Sequence, residues 1–353
     1  MLRVIWFMFT KVAINGFGRI GRTFFRLAHE RHDLRILAIN DLADLENLAY
    51  LLKHDSVYGG YNHKISVDVK ARKLIVDNQR IDFIQEKDPV KLPWGKLGID
   101  VVVESTGFFE KFEGANNHLK AGAKRAVITA PAKDDDESMR LGATVLLGIN
   151  KKDMARVKIT SNGSCTTNAV APVMAILSEN PGIKKAVLNT THAYTATQKI
   201  VDGPDAKDWR RGRAGAISLI PSTTGAAITV TRVVKNLKNL FDGIAVRTPV
   251  PTVSLADITF VANRKTSVEE INNILIKASK KPHWKGILGV SNEQLVSSDL
   301  IGITTATIVD LNFTKVIDED LVKILAWYDN EWGYSQTLVE HVIAAGKLIH
   351  PVK

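Results

Sequence analysis

Apolar positions recur along this chain in two textures. Lys11 to Asn15 is a short apolar run that reads as a buried strand, and Arg22 to Glu30 then spaces Phe24, Phe25, Leu27 and Ala28 along one helical face. Leu34 to Asn40 predicts a second strand, ending at Asp41. Lys64–Val69, Lys73–Val76 and Arg80–Phe83 read as short antiparallel strands. Further on, strands are predicted at 101–104, 126–129, 144–147 and 159–161, with a helix over 115–121. Strands alternating with helices in this way predict a doubly wound parallel sheet.

From residue 165 the texture changes. Ala169 to Leu177 has helical character interrupted by Pro172, which removes a hydrogen bond and bends a helix. A strand over 186–191 precedes a polar stretch from Tyr194 to Ile217, and loops of that length within a compact domain are usually functional or interfacial. Pro221 to Ala227 opens a short helix. Strands rich in β-branched residues follow at 243–250, 255–263, 306–311 and 321–328, with an amphipathic helix over 267–280. This half predicts an α+β domain built on a mixed, mostly antiparallel sheet. The expected division is a first domain over 1–164, completed by a C-terminal helix within 331–353, and a second domain over 165–330. Repeats and low-complexity segments are absent from the sequence.

Composition narrows the class. A chain of 353 residues with 45% hydrophobic and 24% charged residues suits about two globular domains. The net charge is +10, but the basic residues are scattered in pairs such as Lys151-Lys152 and Arg210-Arg211. That favours a general attraction for anionic metabolites over a nucleic-acid ribbon. A single cysteine excludes an intramolecular disulfide and suits a reducing compartment. The apolar N-terminus, Met1 to Phe9, is too short for a signal peptide and reads as an extension, with Met8 as an alternative start. No stretch reaches bilayer-spanning length, and the expectation is a cytoplasmic protein with no metal.

Two stretches carry chemistry. Gly16-Phe17-Gly18-Arg19-Ile20-Gly21 lies between a strand and a helix, and Asp41 follows twenty positions after Gly21. Glycines there permit a tight turn and close approach of backbone to a pyrophosphate at the helix N-terminus. The acid would bind ribose hydroxyls and repel a 2′-phosphate, which selects NAD. Its structural alternative is a helix N-cap before Leu45. The Ser105-Thr106-Gly107 turn at a strand end is a further place for a cofactor to lie. The second stretch is Ser161-Asn-Gly-Ser-Cys165-Thr-Thr-Asn168. A thiol at a helix N-terminus is expected to have a lowered pKa, and the same N–H groups can hold an anion beside it.

Five segments together resemble the glyceraldehyde-3-phosphate dehydrogenase family: 15–22, 161–168, His192-Ala-Tyr-Thr-Ala-Thr-Gln198, Ile220-Pro-Ser-Thr-Thr-Gly-Ala226 and Trp327-Tyr-Asp-Asn-Glu-Trp-Gly-Tyr334. The resemblance implies a Rossmann-type cofactor domain and a homotetramer. It also implies NAD-dependent oxidation of a phosphorylated aldehyde to an acyl phosphate, with inorganic phosphate as co-substrate. Cys165 would be the nucleophile and His192 its base. Thr195 and Arg247 would hold the substrate's phosphate. Ser164, Thr166, Thr224 and Gly225 would hold the attacking phosphate, with Arg211 contributing. Gly16, Gly18, Arg19, Ile20, Gly21, Asp41, Lys87, Thr129 and Asn330 would contact NAD. Gly163, Ile228, Thr248 and Val250 depart from the family's usual residues, the last two beside Arg247. Competing readings are an erythrose-4-phosphate dehydrogenase, a basic nucleic-acid binder and a cysteine hydrolase. The last leaves the glycine loop idle.

Overall fold

The computed structural model describes residues 9–134 and 140–350, so residues 1–8, with Met8, lie outside it. The chain divides into two compact units. The first holds the described residues up to Val145, Lys152–Asn162 and those from Leu338 onward; the second holds Leu146–Lys151 and Gly163–Thr337.

The first unit is built on β1 (Thr10–Asn15), α1 (Arg19–His29), β2 (Leu34–Asn40), α2 (Leu45–Lys53), β3 (Ile65–Asp68), β4 (Lys73–Val76), β5 (Gln79–Ile84), α3 (Trp94–Leu97), β6 (Val101–Glu104), α4 (Phe112–Lys120), β7 (Arg125–Ile128), β8 (Gly142–Thr144) and β9 (Ile159–Ser161). The nine strands form one sheet in the order β3-β4-β5-β2-β1-β6-β7-β9-β8. All pairs from β5 to β8 are parallel, and only the β3–β4–β5 meander at one edge is antiparallel. Strand β1 sits between β2 and β6, so the winding reverses there. Crevices at such a switch point, beyond the carboxyl ends of the strands, are where ligands bind in this architecture. Fully buried strand residues, among them Val12, Ile14, Val101 and Val103, make the apolar runs continuous because helices cover both faces.

The second unit contains α5 (Cys165–Glu179), β10 (Ile183–Ala193), β11 (Ile220–Thr223), α6 (Ala226–Val233), β12 (Phe241–Thr248), β13 (Ser254–Ala262), α7 (Val268–Ser279), β14 (Leu288–Ser291), β15 (Thr307–Ile317) and β16 (Leu321–Tyr328). Its seven strands run β11-β12-β10-β13-β16-β15-β14. Four of the neighbouring pairs are antiparallel, while β10–β12 and β14–β15 are parallel. Strand β13 alternates buried with half-buried residues along its length, the pattern of a sheet covered on one face. The core lies between that face and the helices, with Val170, Val173 and Leu177 of α5, Val230 of α6 and Leu275 of α7 against Leu188, Ile258 and Ile324.

Local expectations shift in two places. Residues 220–223 form strand β11, and the helix expected from Pro221 starts only at Ala226. The strand expected at 144–147 is Gly142–Thr144. The last helix, α8 (Trp332–Lys347), crosses the unit boundary. Its later residues are tied into the first unit: His341 bonds Thr160 Oγ1 at 2.7 Å and Asn162 Oδ1 at 3.0 Å, and Glu340 pairs with Arg31 at 2.6 Å.

Candidate active site

The glycine loop joins β1 to α1 at the switch point. A Cβ on Gly21 would lie 2.2 Å from the Gly16 carbonyl oxygen, and one on Gly16, whose φ is +94°, would lie 2.6 Å from Thr106 N. Those two glycines are therefore required by close packing. Gly18 differs, since a Cβ there would meet nothing within 4 Å. It borders a cleft of about 560 Å³ lined by Asn15, Gly16, Asp41, Lys87, Ser105 and Thr106, among others. Helix α1 has no side-chain cap at Gly18 and no acid in its first turn, so no carboxylate there offsets its dipole, which favours an anion. The loop is thus a cradle that a side chain at Gly18 would fill, and the residues present fit a dinucleotide.

Asp41 lines this cleft, accepting the Phe17 N–H at 2.6 Å and the Ala43 N–H at 2.9 Å. The N-cap of α2 is Asp44, which takes the Asn47 N–H at 2.9 Å, so the capping alternative for Asp41 does not hold. Arg19 turns to Asp55 at 2.5 Å and lies over the Tyr58 ring. Ile20 occupies the first turn of α1, and Thr129 follows the end of β7 with its N–H on the Glu104 carbonyl. Neither Ile20, Thr129 nor Arg19 lines the cleft.

Beneath the loop lies a buried polar chain that the sequence did not reveal. Trp94 Nε1–H donates to His118 Nδ1 at 3.1 Å, and His118 Nε2 meets Glu104 Oε2 at 2.8 Å. Since Nδ1 accepts, Nε2 carries the ring proton. Glu104 also takes the Asn15 amide at 2.6 Å and the Thr106 N–H at 2.9 Å, and Asn15 Oδ1 takes Asn40 at 2.7 Å. Three strand ends around the cleft are thereby fixed to one carboxylate.

In the second unit, Ser164 caps α5 by accepting the Thr167 N–H at 3.0 Å, which sets Cys165 at the first helical position. Pro172 is accommodated within this helix. Cys165 is half-buried, and its Sγ stands 3.5 Å from His192 Nε2 and 4.0 Å from Thr166 Oγ1. On the other side of the ring, Nδ1 is 2.7 Å from the Ala193 carbonyl. A carbonyl only accepts, and the tautomer that donates to it from Nδ1 is the one that offers the Nε2 lone pair to the thiol. Strands β10 and β12 are parallel with His192 opposite Arg247, and this register delivers the guanidinium to the imidazole. Arg247 Nη1 lies 2.5 Å from Nδ1 and donates to the Ala193 carbonyl at 3.3 Å.

Burial and then the Arg247 charge hold His192 down to about 3, so the imidazole is neutral across the physiological range. Burial also pushes the Cys165 thiol up, against the pull of Arg247. This corrects the expectation from helix position alone. Desolvation outweighs the helix N-terminus, and the resting pair is thiol and neutral imidazole.

Residues 10–112 match the NAD-binding domain of glyceraldehyde 3-phosphate dehydrogenase, and residues 164–330 match its C-terminal domain. The chain belongs to the glyceraldehyde 3-phosphate dehydrogenase family. The enzyme of that name from Borreliella burgdorferi is 47% identical over 337 residues, covering 94% of this chain and 98% of the relative. That of Geobacillus stearothermophilus is 46% identical, covering 94% and 97%. That of Streptomyces coelicolor is 44% identical, covering 96% and 99%.

The family's remaining candidate positions are distributed unevenly. Asn330 Oδ1 accepts from Ser254 Oγ at 3.0 Å, and Ser254 in turn accepts the Ala193 N–H at 3.1 Å, so Asn330 is tied to the residue after His192. Thr166 turns its hydroxyl inward to Tyr328 at 2.8 Å. Thr195 lies just past β10, its hydroxyl near Thr197 at 2.9 Å. Thr224 Oγ1 accepts the Ala226 N–H at 3.1 Å, and Gly225 is the N-cap of α6. Register places Ile220, not Thr223, opposite Arg247, so β11 carries Thr224 away from the guanidinium. Arg211 and Arg247 each bury an Nε that has no acceptor, and the two charges repel. A buried guanidinium without a carboxylate is unfavourable unless an anion answers it.

Proposed function

We propose that Cys165 and His192 are the nucleophile and base of this NAD-dependent dehydrogenase, acting on glyceraldehyde 3-phosphate with Arg247 as its phosphate anchor. The observation that carries the reading is the grouping of a thiol, a neutral imidazole and a guanidinium with an unanswered Nε around one ring. Sγ attacks the aldehyde carbon while the thiol proton passes to His192 Nε2 and on to the carbonyl oxygen, giving a thiohemiacetal. Nε2 then takes the hydroxyl proton as the carbonyl re-forms. The chemistry NAD supplies when bound is acceptance of the hydride from that carbon. The product on Cys165 is a thioester. A phosphate oxygen adds to it, the C–S bond breaks, the acyl phosphate leaves, and the proton held on Nε2 returns to Sγ to restore the thiol.

Arg247 and Thr195 hold the substrate's phosphate in this reading. Ser164, Thr166, Thr224 and Gly225 serve the attacking phosphate, and Arg211 adds charge. Gly16, Gly18, Gly21, Arg19, Ile20, Asp41, Lys87, Thr129 and Asn330 serve NAD. The protein works as a cytoplasmic homotetramer. In support, the polar stretch 194–219 exposes Ile200 at 86% and Trp209 at 85%, and Val187 and Ile244 are exposed on the second sheet. Clustered apolar exposure of this kind favours self-association. Among the described residues no helix is long and apolar enough to cross a membrane.

The test is formation of reduced NAD from glyceraldehyde 3-phosphate, with and without inorganic phosphate, by the wild-type and Cys165→Ser proteins. Phosphate-dependent turnover that Cys165→Ser abolishes, with NAD binding retained, is the expected result. Turnover confined to erythrose 4-phosphate, or indifferent to phosphate, refutes the substrate assignment. Normal turnover by Cys165→Ser refutes the nucleophile.

A further inference from the structure

At the end of α1 opposite the glycine loop, three elements of the first unit bring two imidazoles and a carboxylate together. His29 ends α1, His63 lies in the segment before β3, and Asp77 occupies the turn between β4 and β5. One ligand atom from each lies within 4.8 Å of the others. Asp77 Oδ2 is the hub, 2.8 Å from His63 Nδ1 and 3.8 Å from His29 Nε2. Nothing in the dehydrogenase reaction uses them.

The groups behind these atoms are arranged as supports. His63 Nε2, the nitrogen turned away from Asp77, meets Glu30 Oε1 at 2.7 Å. A carboxylate on the far nitrogen fixes ring orientation and raises ligand basicity in metal sites. Asp77 Oδ1, the oxygen turned away from the hub, takes the Lys64 N–H at 3.0 Å. The His29 ring is stacked on buried Phe25 with centroids 5.5 Å apart and planes 11° from parallel. Each of the three donors therefore has its own second contact, and the three ligand atoms converge, with His63 Nδ1 and Asp77 Oδ2 already hydrogen-bonded to each other.

We propose that His29 Nε2, His63 Nδ1 and Asp77 Oδ2 form a binding site for a divalent transition-metal ion of the zinc class. In a tetrahedral site with bonds of 2.0–2.2 Å, ligand atoms stand roughly 3.4 Å apart. The separations of 2.8 and 3.8 Å from Asp77 bracket that value and all three atoms lie within 4.8 Å of one another, so side-chain rotation without backbone movement admits the ion. Two imidazoles and a carboxylate suit Zn²⁺, Ni²⁺ or Cu²⁺ and not the oxygen-seeking Mg²⁺ or Ca²⁺. The fourth position opens to water beside the half-exposed Asp77. The ion would clip the end of α1 to the β4–β5 hairpin and the segment between, stabilising the outer edge of the cofactor domain without entering the reaction.

The experiment uses untagged full-length protein carrying Cys165→Ser, which removes the thiol as a rival ligand, titrated with Zn²⁺ alone by calorimetry. One ion per chain is expected, with affinity falling about tenfold or more in each of His29→Gln, His63→Gln and Asp77→Asn. The same three substitutions placed singly in the wild-type background should leave turnover unchanged, which also verifies their folding. Co²⁺ supplies a readout on the unsubstituted ligands: two histidine rings should show paramagnetically shifted resonances. Absence of those shifts, or Zn²⁺ binding that survives all three substitutions, overturns the proposal. So does a failure to bind Zn²⁺ at millimolar concentration.

Discussion

Replacing His192 by asparagine tests the core of the catalytic reading. In the proposed reaction Nε2 of His192 accepts the proton; it stands 3.5 Å from Cys165 Sγ, and the residue is 5% exposed. Bulk water is thus poorly placed to substitute for it, and Arg247 on the opposite side of the ring cannot accept a proton. Loss of a positioned general base lowers rate by roughly 10²–10⁴, equivalent to about 3–5 kcal/mol on the barrier. The loss should fall on kcat at saturating aldehyde, NAD and phosphate, because His192→Asn leaves the Arg247 and Thr195 anion contacts in place. NAD binding and the denaturation midpoint serve as controls for folding. Alkylation of Cys165 by iodoacetamide at neutral pH should slow in parallel, since the thiol loses the group that takes its proton. A variant retaining kcat within a few-fold of wild type, in a protein where Cys165→Ser is inactive, refutes His192 as the base.

The glycine loop gives a paired prediction: Gly18→Ala should keep the denaturation midpoint yet weaken NAD binding, whereas Gly21→Ala should lose stability, because its methyl would meet the Gly16 carbonyl at 2.2 Å. Equal effects of the two changes on stability would refute the distinction. Asp41→Ala should raise the kcat/KM ratio of NADP to NAD by about tenfold, or ~1.4 kcal/mol; the ratio is the measurement to use, since loss of the Phe17 contact lowers binding of both cofactors. An unchanged ratio would remove Asp41 from cofactor selection. Because Arg247 pulls the thiol pKa down against burial, Arg247→Leu should move the alkylation profile of Cys165 to higher pH, and a profile that stays put or moves to lower pH contradicts that coupling. Finally, His192 and His341 are both held down to about 3 by burial, so the folded chain binds fewer protons than the unfolded one below the ordinary histidine pKa. Their stabilising contribution is full above about pH 6.5 and is lost as pH falls toward 3, at up to roughly 1.4 kcal/mol per pH unit for each ring. Denaturation midpoints measured from pH 6.5 to 5 should decline, with a shallower slope in His341→Gln; equal slopes would contradict the assignment.

What could be read in advance follows from how far apart in sequence the causes lie. The glycine loop was legible because strand, turn, helix and acid occur within one local unit, where periodicity and turn chemistry act together. The same locality failed to separate two uses of an aspartate: Asp41 and Asp44 both precede α2, and only the hydrogen bonds show Asp44 capping it while Asp41 holds the loop. Cys165 was placed at a helix start because a helical run follows it, and in the structure Ser164 caps that helix. Its ionisation was not legible, since burial is a tertiary property that overrides the helix N-terminus. The pairing of His192 with Arg247 depends on the register of two parallel strands fifty-five residues apart, and a slip of one residue would turn the guanidinium to the other face of the sheet. The Trp94–His118–Glu104–Asn15 chain is more distant still, drawing on four elements to satisfy one buried carboxylate. Local pattern thus fixes where reactive groups begin, while strand register and burial decide which of them meet and in what protonation state. The Arg247 charge therefore reaches His192 only in the observed register of β10 and β12, which no motif around either residue specifies.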